Sequence, residues 1–200
     1  PPHKKEATEH KPVEAAQQPK TVFIPLSQHI GAPSTAIVKK GDMVKKGQKI
    51  GEAAGFVSAP VHSSVSGEVK AIAPRLVPGG QKVLCVEIEN DMTEELYEDL
   101  PKYPGLDHMS KEELLDMIKE AGIVGMGGAT FPTSVKLSPP PEKKIDAVIL
   151  NGAECEPYLT ADHRLMLENP EDIVLGLQIL IKVLGVSKAY IGIENNKMDC

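Results

Sequence analysis

A glycine-rich segment that ends in a lysine is the part of the sequence best suited to holding an anion. It reads GMGGATFPTSVK over residues 125–136. Glycines let backbone N–H groups approach a phosphate closely, and Lys136 adds a positive charge. The pattern is neither a Walker A loop nor the dinucleotide fingerprint, since Thr130 replaces a glycine of the latter and the segment follows a helix instead of a strand. Spacing alone therefore leaves a structural turn open as the alternative.

A second polar segment comes directly after an apolar run. Residues 146–151 read DAVILN, which is typical of a buried parallel strand, and the polar segment NGAECEPY occupies residues 151–158. Ligands of open α/β sheets bind beyond the carboxyl ends of the strands, so polar side chains are expected to gather here. One amide and two carboxylates could hydrogen-bond the N–H groups of a heterocycle and the hydroxyls of a sugar. The alternative is a capped, solvated loop.

The cysteines and histidines show no spacing typical of a metal centre. Cys85, Cys155 and Cys200 form no C-x-x-C pair and cannot by themselves hold a four-iron cluster, and the six histidines give no H-x-x-x-H pattern. Cys155 has no partner histidine in sequence, which favours a packing role over a redox role. We therefore predict no metal site in this chain.

The elements that must position the two polar segments are of two kinds. Between residues 21 and 92, short β-type runs broken by glycine and proline predict an all-β module. An α/β unit follows. A capping box at Ser110 and Glu113 predicts a helix over residues 111–121, which Gly122 ends.

A second helix is expected between two strands of the α/β unit. Asn169 as cap, Pro170 at the first helical position and Gly185 after the last turn predict its bounds. With strands at 146–151 and 189–194, the order strand–helix–strand gives one right-handed parallel crossover. Residues 162–164, Asp-His-Arg, are predicted to form a solvated or ion-paired turn before this helix.

These signals divide the chain into four parts. Residues 1–20 mix proline, lysine, glutamate, histidine and glutamine with almost nothing to bury, which predicts an extended or disordered arm. The β module spans 21–92, and prolines and a glycine mark a connector over 93–109. The α/β domain takes up 110–200.

Charge and hydropathy exclude two classes of partner. A net charge of −6 and a pI near 5.6 offer no positive field for a phosphate backbone, so no nucleic-acid partner is expected. The most apolar stretch, residues 173–186, is shorter than the roughly 20 residues that cross a bilayer. We therefore predict no direct membrane span.

The β module resembles the barrel-sandwich hybrid of biotinyl and lipoyl domains. The resemblance rests on VKKGDMVKKGQKIG at 38–51 and on the Ala-Pro and Ser-Gly-Glu-Val sequences at 59–60 and 66–69. Carrier domains display a lysine at the tip of the central hairpin, whereas here the tip reads EAAGFVS. Covalent biotin or lipoate is therefore not expected, and a docking or scaffolding role is.

The two polar segments, in this order, resemble the flavin-binding signature shared by RnfC, a component of the Rnf electron-transport complex, and the 51 kDa flavoprotein subunit of respiratory complex I. The sequences SQHIGAP and GFVSAPVHSSVSG in the β module resemble RnfC in particular. The resemblance implies an FMN phosphate held by Gly125, Gly127, Gly128 and Lys136, an FMN ribityl chain and ring beside Asn151 and Glu154, and NADH facing Phe131 and Glu156.

Three positions depart from the complex I pattern. Met126 stands where that flavoprotein has arginine, and Thr130 stands where it has glycine. Ala153 replaces a carboxylate that precedes Glu154 there. Thr130 implies a narrower approach for the backbone, and the missing carboxylate at Ala153 implies looser contacts to the flavin.

The resemblance further implies a truncated Rossmann-like flavin domain behind the β module and a function in NADH oxidation. Electrons would pass from NADH to FMN and on to iron–sulfur clusters or ferredoxin, and no side chain of this chain would act as acid or base. The 4Fe-4S clusters are expected only in a C-terminal part that this sequence lacks. The expected partners are other subunits of a membrane electron-transport complex, with this protein bound peripherally on the cytoplasmic face.

Two further functions stay open. The chain could come from a soluble Rnf-like electron-transfer protein that serves an amino-acid reductase such as proline reductase. It could also be a non-catalytic docking module whose glycine loop is vestigial. If it is a flavoprotein of either kind, this piece alone is expected to be inactive, because the strands that complete the nucleotide site would follow residue 200.

Overall fold

The structure is a computed structural model that describes residues 2–126 and 129–200. It divides the chain into two compact units: a β unit of residues 17–139, and an α/β unit made of residues 1–16 together with 140–200. Gly127 and Gly128 of the predicted phosphate loop lie outside the described residues. The predicted boundaries at 20, 92 and 109 stay predictions. In the structure, residues 110–139 group with the β unit and residues 1–16 with the α/β unit.

The described residues of the β unit, 17–126 and 129–139, form seven strands that pair antiparallel in two sheets. The first sheet has the order β1-β7-β6-β3 and the second has the order β2-β4-β5. The strands are β1 Thr21–Pro25, β2 Thr35–Ala36, β3 Met43–Val44, β4 Lys49–Glu52, β5 Val61–His62, β6 Gly67–Leu76 and β7 Lys82–Asn90.

Alternating aliphatic side chains from both sheets form the core of the β unit. Ile50, Val69, Val86 and Ile88 are fully buried there. These β-branched residues fit a pleated, packed surface, and each contributes about 1.5–3 kcal/mol by burial. The hairpin between β4 and β5 carries Phe56 at its tip, where 78% of the residue is exposed.

A 3-10 helix, Leu106–His108, and two α-helices follow the β strands among the described residues of the same unit. Helix α1, Lys111–Glu120, begins at Ser110 with the capping box that the sequence predicts, because Ser110 and Glu113 accept each other's backbone N–H groups. Leu114 anchors α1 by full burial. Helix α2 is a single turn, Thr133–Lys136, that the sequence pattern does not predict.

The α/β unit has one parallel pair of strands and two helices. Strands β8, Val148–Asn151, and β9, Ala189–Gly192, pair in parallel over four residues. Helix α4, Pro170–Leu184, lies between them in the chain and ends at Gly185 in the left-handed region, as predicted. Ile149, Tyr190 and Ile191 of the two strands are 71%, 57% and 41% exposed.

The turn predicted at residues 162–164 is wrong, whereas the ion pairing predicted there is present between Arg164 and Glu168. These residues belong to helix α3, Ala161–Glu168, in which His163 is buried. The sequence pattern does not reveal this helix, because the side chain that the helix buries is a histidine instead of an aliphatic residue. No helix among residues 2–126 and 129–200 combines the length and apolar character that a bilayer crossing requires.

Gly67, at the start of β6, provides a direct test of the β unit. Its φ is +148°, and an added Cβ would lie 1.9 Å from the Glu89 carbonyl oxygen. We expect Gly67→Ala to lower the free energy of unfolding by roughly 3 kcal/mol, because strain and a clash with backbone add up. Gly79, with φ +104° and open space around its Cβ position, is the matched control, and Gly79→Ala is expected to cost roughly 1 kcal/mol. Equal losses in urea unfolding would contradict this account.

Candidate functional site

The glycine-rich segment forms a loop that is closed at its base. Val124 and Pro132 form an antiparallel bridge. Next to it, the Gly125 N–H donates to the Phe131 carbonyl oxygen at 3.0 Å, and the Thr133 N–H donates to the Ile123 carbonyl oxygen at 2.9 Å. The two ends of the loop are therefore held together by backbone hydrogen bonds.

Lys136 places its ammonium group against this base. A Cβ added to Gly125 would lie 2.8 Å from Lys136 Nζ, so only glycine leaves the lysine its present position. Lys136 is exposed at the end of α2, and among the described residues it forms no ion pair. A cation so placed beside glycine backbone fits the phosphate of FMN.

Two residues of the same segment, Thr130 and Met126, are positions that depart from the complex I pattern. Thr130 has φ +50°, a conformation that glycine adopts without cost and threonine does not. Its hydroxyl donates to the Ala129 carbonyl oxygen at 2.7 Å. Met126 is 89% exposed. The loop therefore keeps a glycine-like backbone at Thr130 despite the substitution.

The second predicted segment begins where β8 ends. Asn151 is exposed, and its side-chain oxygen accepts the Ala153 N–H at 3.1 Å, which forms a tight turn. The next N–H, of Gly152, donates to the Gly192 carbonyl oxygen at 2.8 Å and ties the turn to β9. A cavity beside Asn151 has a volume of about 130 Å³, which is smaller than the roughly 300–1,000 Å³ of typical ligand pockets. Glu156 is exposed.

Glu154 lies at the centre of a network of four charges, of which Lys5, Glu154 and Lys197 are buried and Glu194 is partly buried. Its side chain is 4% exposed, and its carboxylate lies 3.4 Å from Lys197 Nζ and 3.9 Å from Lys5 Nζ. The same carboxylate accepts the Asp162 N–H at 2.9 Å. The Glu154 N–H donates to the Glu194 carboxylate at 3.1 Å, and Lys197 donates to that carboxylate at 2.8 Å. Two lysines thus neutralise two glutamates.

The network keeps both glutamates ionised. Burial opposes ionisation of Glu154, but the Asp162 N–H and the ammonium groups of Lys197 and Lys5 outweigh it and hold the pKa of this carboxyl below its usual value. The Lys197 ammonium and the Glu154 N–H lower the pKa of Glu194. The flavin contact predicted for Glu154 stays a prediction. A contact through the Glu154 carboxylate would require its bonds within this network to break.

A further cluster in the α/β unit was missed by the sequence patterns. His163 Nε2 lies 3.1 Å from each carboxylate oxygen of Asp199, and the hydrogen bond to His163 lowers the pKa of Asp199. Together with Cys200, these residues place three potential metal-ligand atoms within 4.8 Å of one another. Spacing could not reveal the group, because His163 and Asp199 are 36 residues apart.

Comparison with protein families covers both units. A family model described as the RnfC barrel sandwich hybrid domain matches residues 1–93, and a model described as the Nuo51 FMN-binding domain matches residues 118–200. The fold and site therefore define a barrel-sandwich hybrid domain followed by an FMN-binding domain of the complex I 51 kDa type, and the predicted fold class is confirmed.

Curated relatives match along nearly all of the chain, and it belongs to the RnfC family. The C subunit of the Na(+)-translocating ferredoxin:NAD(+) oxidoreductase complex of Acetobacterium woodii is 52% identical over 199 residues, which cover 100% of this chain and 45% of that protein. Its proton-translocating counterpart in Clostridium ljungdahlii is 54% identical over 193 residues, covering 96% and 42%. The C subunit of the ion-translocating oxidoreductase complex of Rhodobacter capsulatus is 42% identical over 187 residues, covering 92% and 36%. The chain thus spans less than half the length of these relatives.

Acidification should destabilise the α/β unit through Glu154. Because its folded-state pKa lies below the unfolded value of about 4.3, the stability it contributes is present above that value and is lost as the pH falls through the folded pKa. Glu154→Gln should cost on the order of 3 kcal/mol at neutral pH, since it leaves buried lysines underpaired. Glu154→Gln should also reduce the loss in the free energy of unfolding between about pH 5 and pH 3.

Unfolding followed by circular dichroism from pH 7 downwards would measure both effects. The matched control is Glu156→Gln, which changes an exposed carboxyl two residues away. A pH dependence that is the same in wild type and Glu154→Gln would contradict the assignment.

Proposed function

We propose that this chain is the flavin-binding part of an electron-transport subunit in an ion-translocating ferredoxin:NAD(+) oxidoreductase complex. The proposal is supported by the Nuo51-type match over residues 118–200 and by the names that the relatives carry. The observation that carries it is the Lys136 ammonium, which has no ion-pair partner among the described residues and lies 2.8 Å from the position of a Gly125 Cβ.

The glycine loop has the first role in this proposal. The backbone of Gly125, Gly127 and Gly128 and the ammonium of Lys136 bind the FMN phosphate. The Phe131 ring packs against NADH, and the Phe131 carbonyl oxygen accepts the Gly125 N–H, which fixes the backbone at this position.

The segment after β8 has the second role. Asn151 and Glu154 act on the ribityl chain and ring of FMN, and Glu156 faces NADH. Because Glu154 is buried in a charge network, its contribution to the flavin is electrostatic while that network stays closed.

The chemistry belongs to the cofactor. Bound FMN supplies a hydride acceptor for NADH and a donor of single electrons. The chain's residues hold the phosphate, orient the two nucleotides and keep charges such as Glu154 fixed and ionised. No acid or base is required of any side chain.

The electrons would leave through other parts of the complex. A 4Fe-4S cluster needs four cysteine thiolates, whereas this sequence has three cysteines, of which Cys85 is buried in the β unit. We therefore assign iron–sulfur clusters to other parts of the whole protein, and attachment to the cytoplasmic face of the membrane to partner subunits. The names of two relatives, each a subunit of a ferredoxin:NAD(+) oxidoreductase complex, support ferredoxin-linked transfer as part of the proposal.

The β unit favours a second, compatible function as a docking module. Phe56 is 78% exposed at a hairpin tip that has no lysine, so the tip offers an apolar contact instead of a carrier attachment point. Electron transfer to an amino-acid reductase stays open as the alternative function of the flavin site.

Removing the charge at the glycine loop should weaken FMN binding. Lys136→Gln is expected to raise the FMN dissociation constant about 10- to 100-fold, the effect of losing one charge-assisted hydrogen bond of about 1.5–3 kcal/mol. The matched control is Lys119→Gln, which changes a lysine of α1 in the same unit.

Fluorescence titration with FMN would measure the change, on the 200-residue chain and on the natural polypeptide that contains it. A natural polypeptide that stays colourless after loading with FMN and desalting would overturn the proposal. Equal affinity in Lys136→Gln would overturn the role of the lysine alone.

A further inference from the structure

The N-terminal arm lies docked in the α/β unit. Lys5 is 4% exposed, and its ammonium donates to the carbonyl oxygens of Glu154 at 2.6 Å and of Leu159 at 2.9 Å. Its distance to the Glu154 carboxylate is longer, at 3.9 Å. Lys5 therefore bonds mainly to backbone, and it spans both ends of the segment that follows β8.

The rest of the arm holds the middle of that segment. The Tyr158 N–H donates to the His3 carbonyl oxygen at 3.0 Å, and the Thr8 hydroxyl donates to the Tyr158 carbonyl oxygen at 3.4 Å. The Thr160 hydroxyl donates to the Thr8 hydroxyl at 2.8 Å. Both backbone groups of Tyr158 are thus bonded to the arm.

Tyr158 needs this support because its backbone is strained. Its φ is +72°, in the left-handed region that a bulky residue rarely adopts. Such a conformation persists where surrounding contacts determine it, and it recurs at ligand sites. Lys4 adds a contact of 6.0 Å between its ammonium and the centre of the Tyr158 ring.

The arm continues along helix α3. The Arg164 guanidinium donates to the Glu9 carbonyl oxygen at 3.3 Å, and the Val13 N–H donates to the Glu168 carboxylate at 3.0 Å. Arg164 and the Val13 N–H together lower the pKa of Glu168. The contacts of the arm therefore extend from the end of β8 to the end of α3.

We propose that residues 3–13 act as a strap that fixes the backbone of residues 154–160, and that Lys5 is a positioning residue for the flavin site. This inference rests on the proposed function, since the segment is the one assigned to the flavin ring and NADH. Lys5 acts through Glu154 and Leu159 and touches no reacting atom. The Lys5 ammonium is also one of the charged groups that face the Glu154 carboxylate. The strap therefore determines both the backbone conformation and the local charge of the segment that follows β8.

Hydrogen exchange of the chain without flavin tests the strap itself. Lys5→Met keeps the length of the side chain and removes its donors, and we expect the amides of residues 154–160 to exchange at least about tenfold faster. Lys11→Met removes an exposed lysine from the same arm and should leave them unchanged. Thr8→Val removes only the hydroxyl bonds and should speed exchange near residue 158 if Lys5→Met fails to fold. Unchanged exchange in both Lys5→Met and Thr8→Val would overturn the strap.

The redox potential of bound FMN tests the positioning role in the natural polypeptide. We expect Lys5→Met to shift the midpoint potential and the visible spectrum of the flavin, Lys5→Arg to restore part of the shift, and Lys11→Met to do nothing. A wild type that binds FMN, with an unshifted Lys5→Met, would overturn the positioning role and leave the proposed function intact. A wild type that binds no FMN would overturn both, whereas the exchange result would still decide whether the strap exists.

Discussion

The α/β unit depends on one constraint: ionised side chains taken out of water must find partners of opposite charge. Glu154 and Lys197 are 4% and 2% exposed, and neither could stay charged alone. Ion pairs among four residues meet this constraint: Lys5, Glu154, Glu194 and Lys197. They hold the first and last parts of the chain at the end of β8. The turn at Asn151, the start of α3 and the docked arm all lie beside this network.

Local signals were enough to predict the elements whose ends the sequence encodes. The capping box at Ser110 and the pair Asn169-Pro170 fix α1 and α4 within a few residues, because a helix terminus is decided by its nearest neighbours. Helix α3 was missed because its N-cap residue, Thr160, forms no side-chain cap bond and because the helix buries a histidine. The order and wording of the motifs, beyond any single spacing, led to the correct family.

The partners of the candidate site could not be predicted in this way. Lys5 and Glu154 are 149 residues apart, and a proline-rich, charged arm has the composition of a disordered segment. Lys136 was predicted from its place after the glycines, but its approach to Gly125 depends on the bridge between Val124 and Pro132. Strained backbone at Thr130 and Tyr158 falls within the two segments expected to contact nucleotides, and a residue type alone does not reveal it.

The short parallel pair β8–β9 has a consequence for handling the chain. Parallel sheets are normally covered on both faces, whereas Ile149, Tyr190 and Ile191 are largely open to solvent here. Exposed apolar side chains that lie together on a sheet favour association with other molecules. Isolated preparations should therefore tend to aggregate as concentration rises, and mild detergent or a polar substitution at Ile149 is the rational remedy.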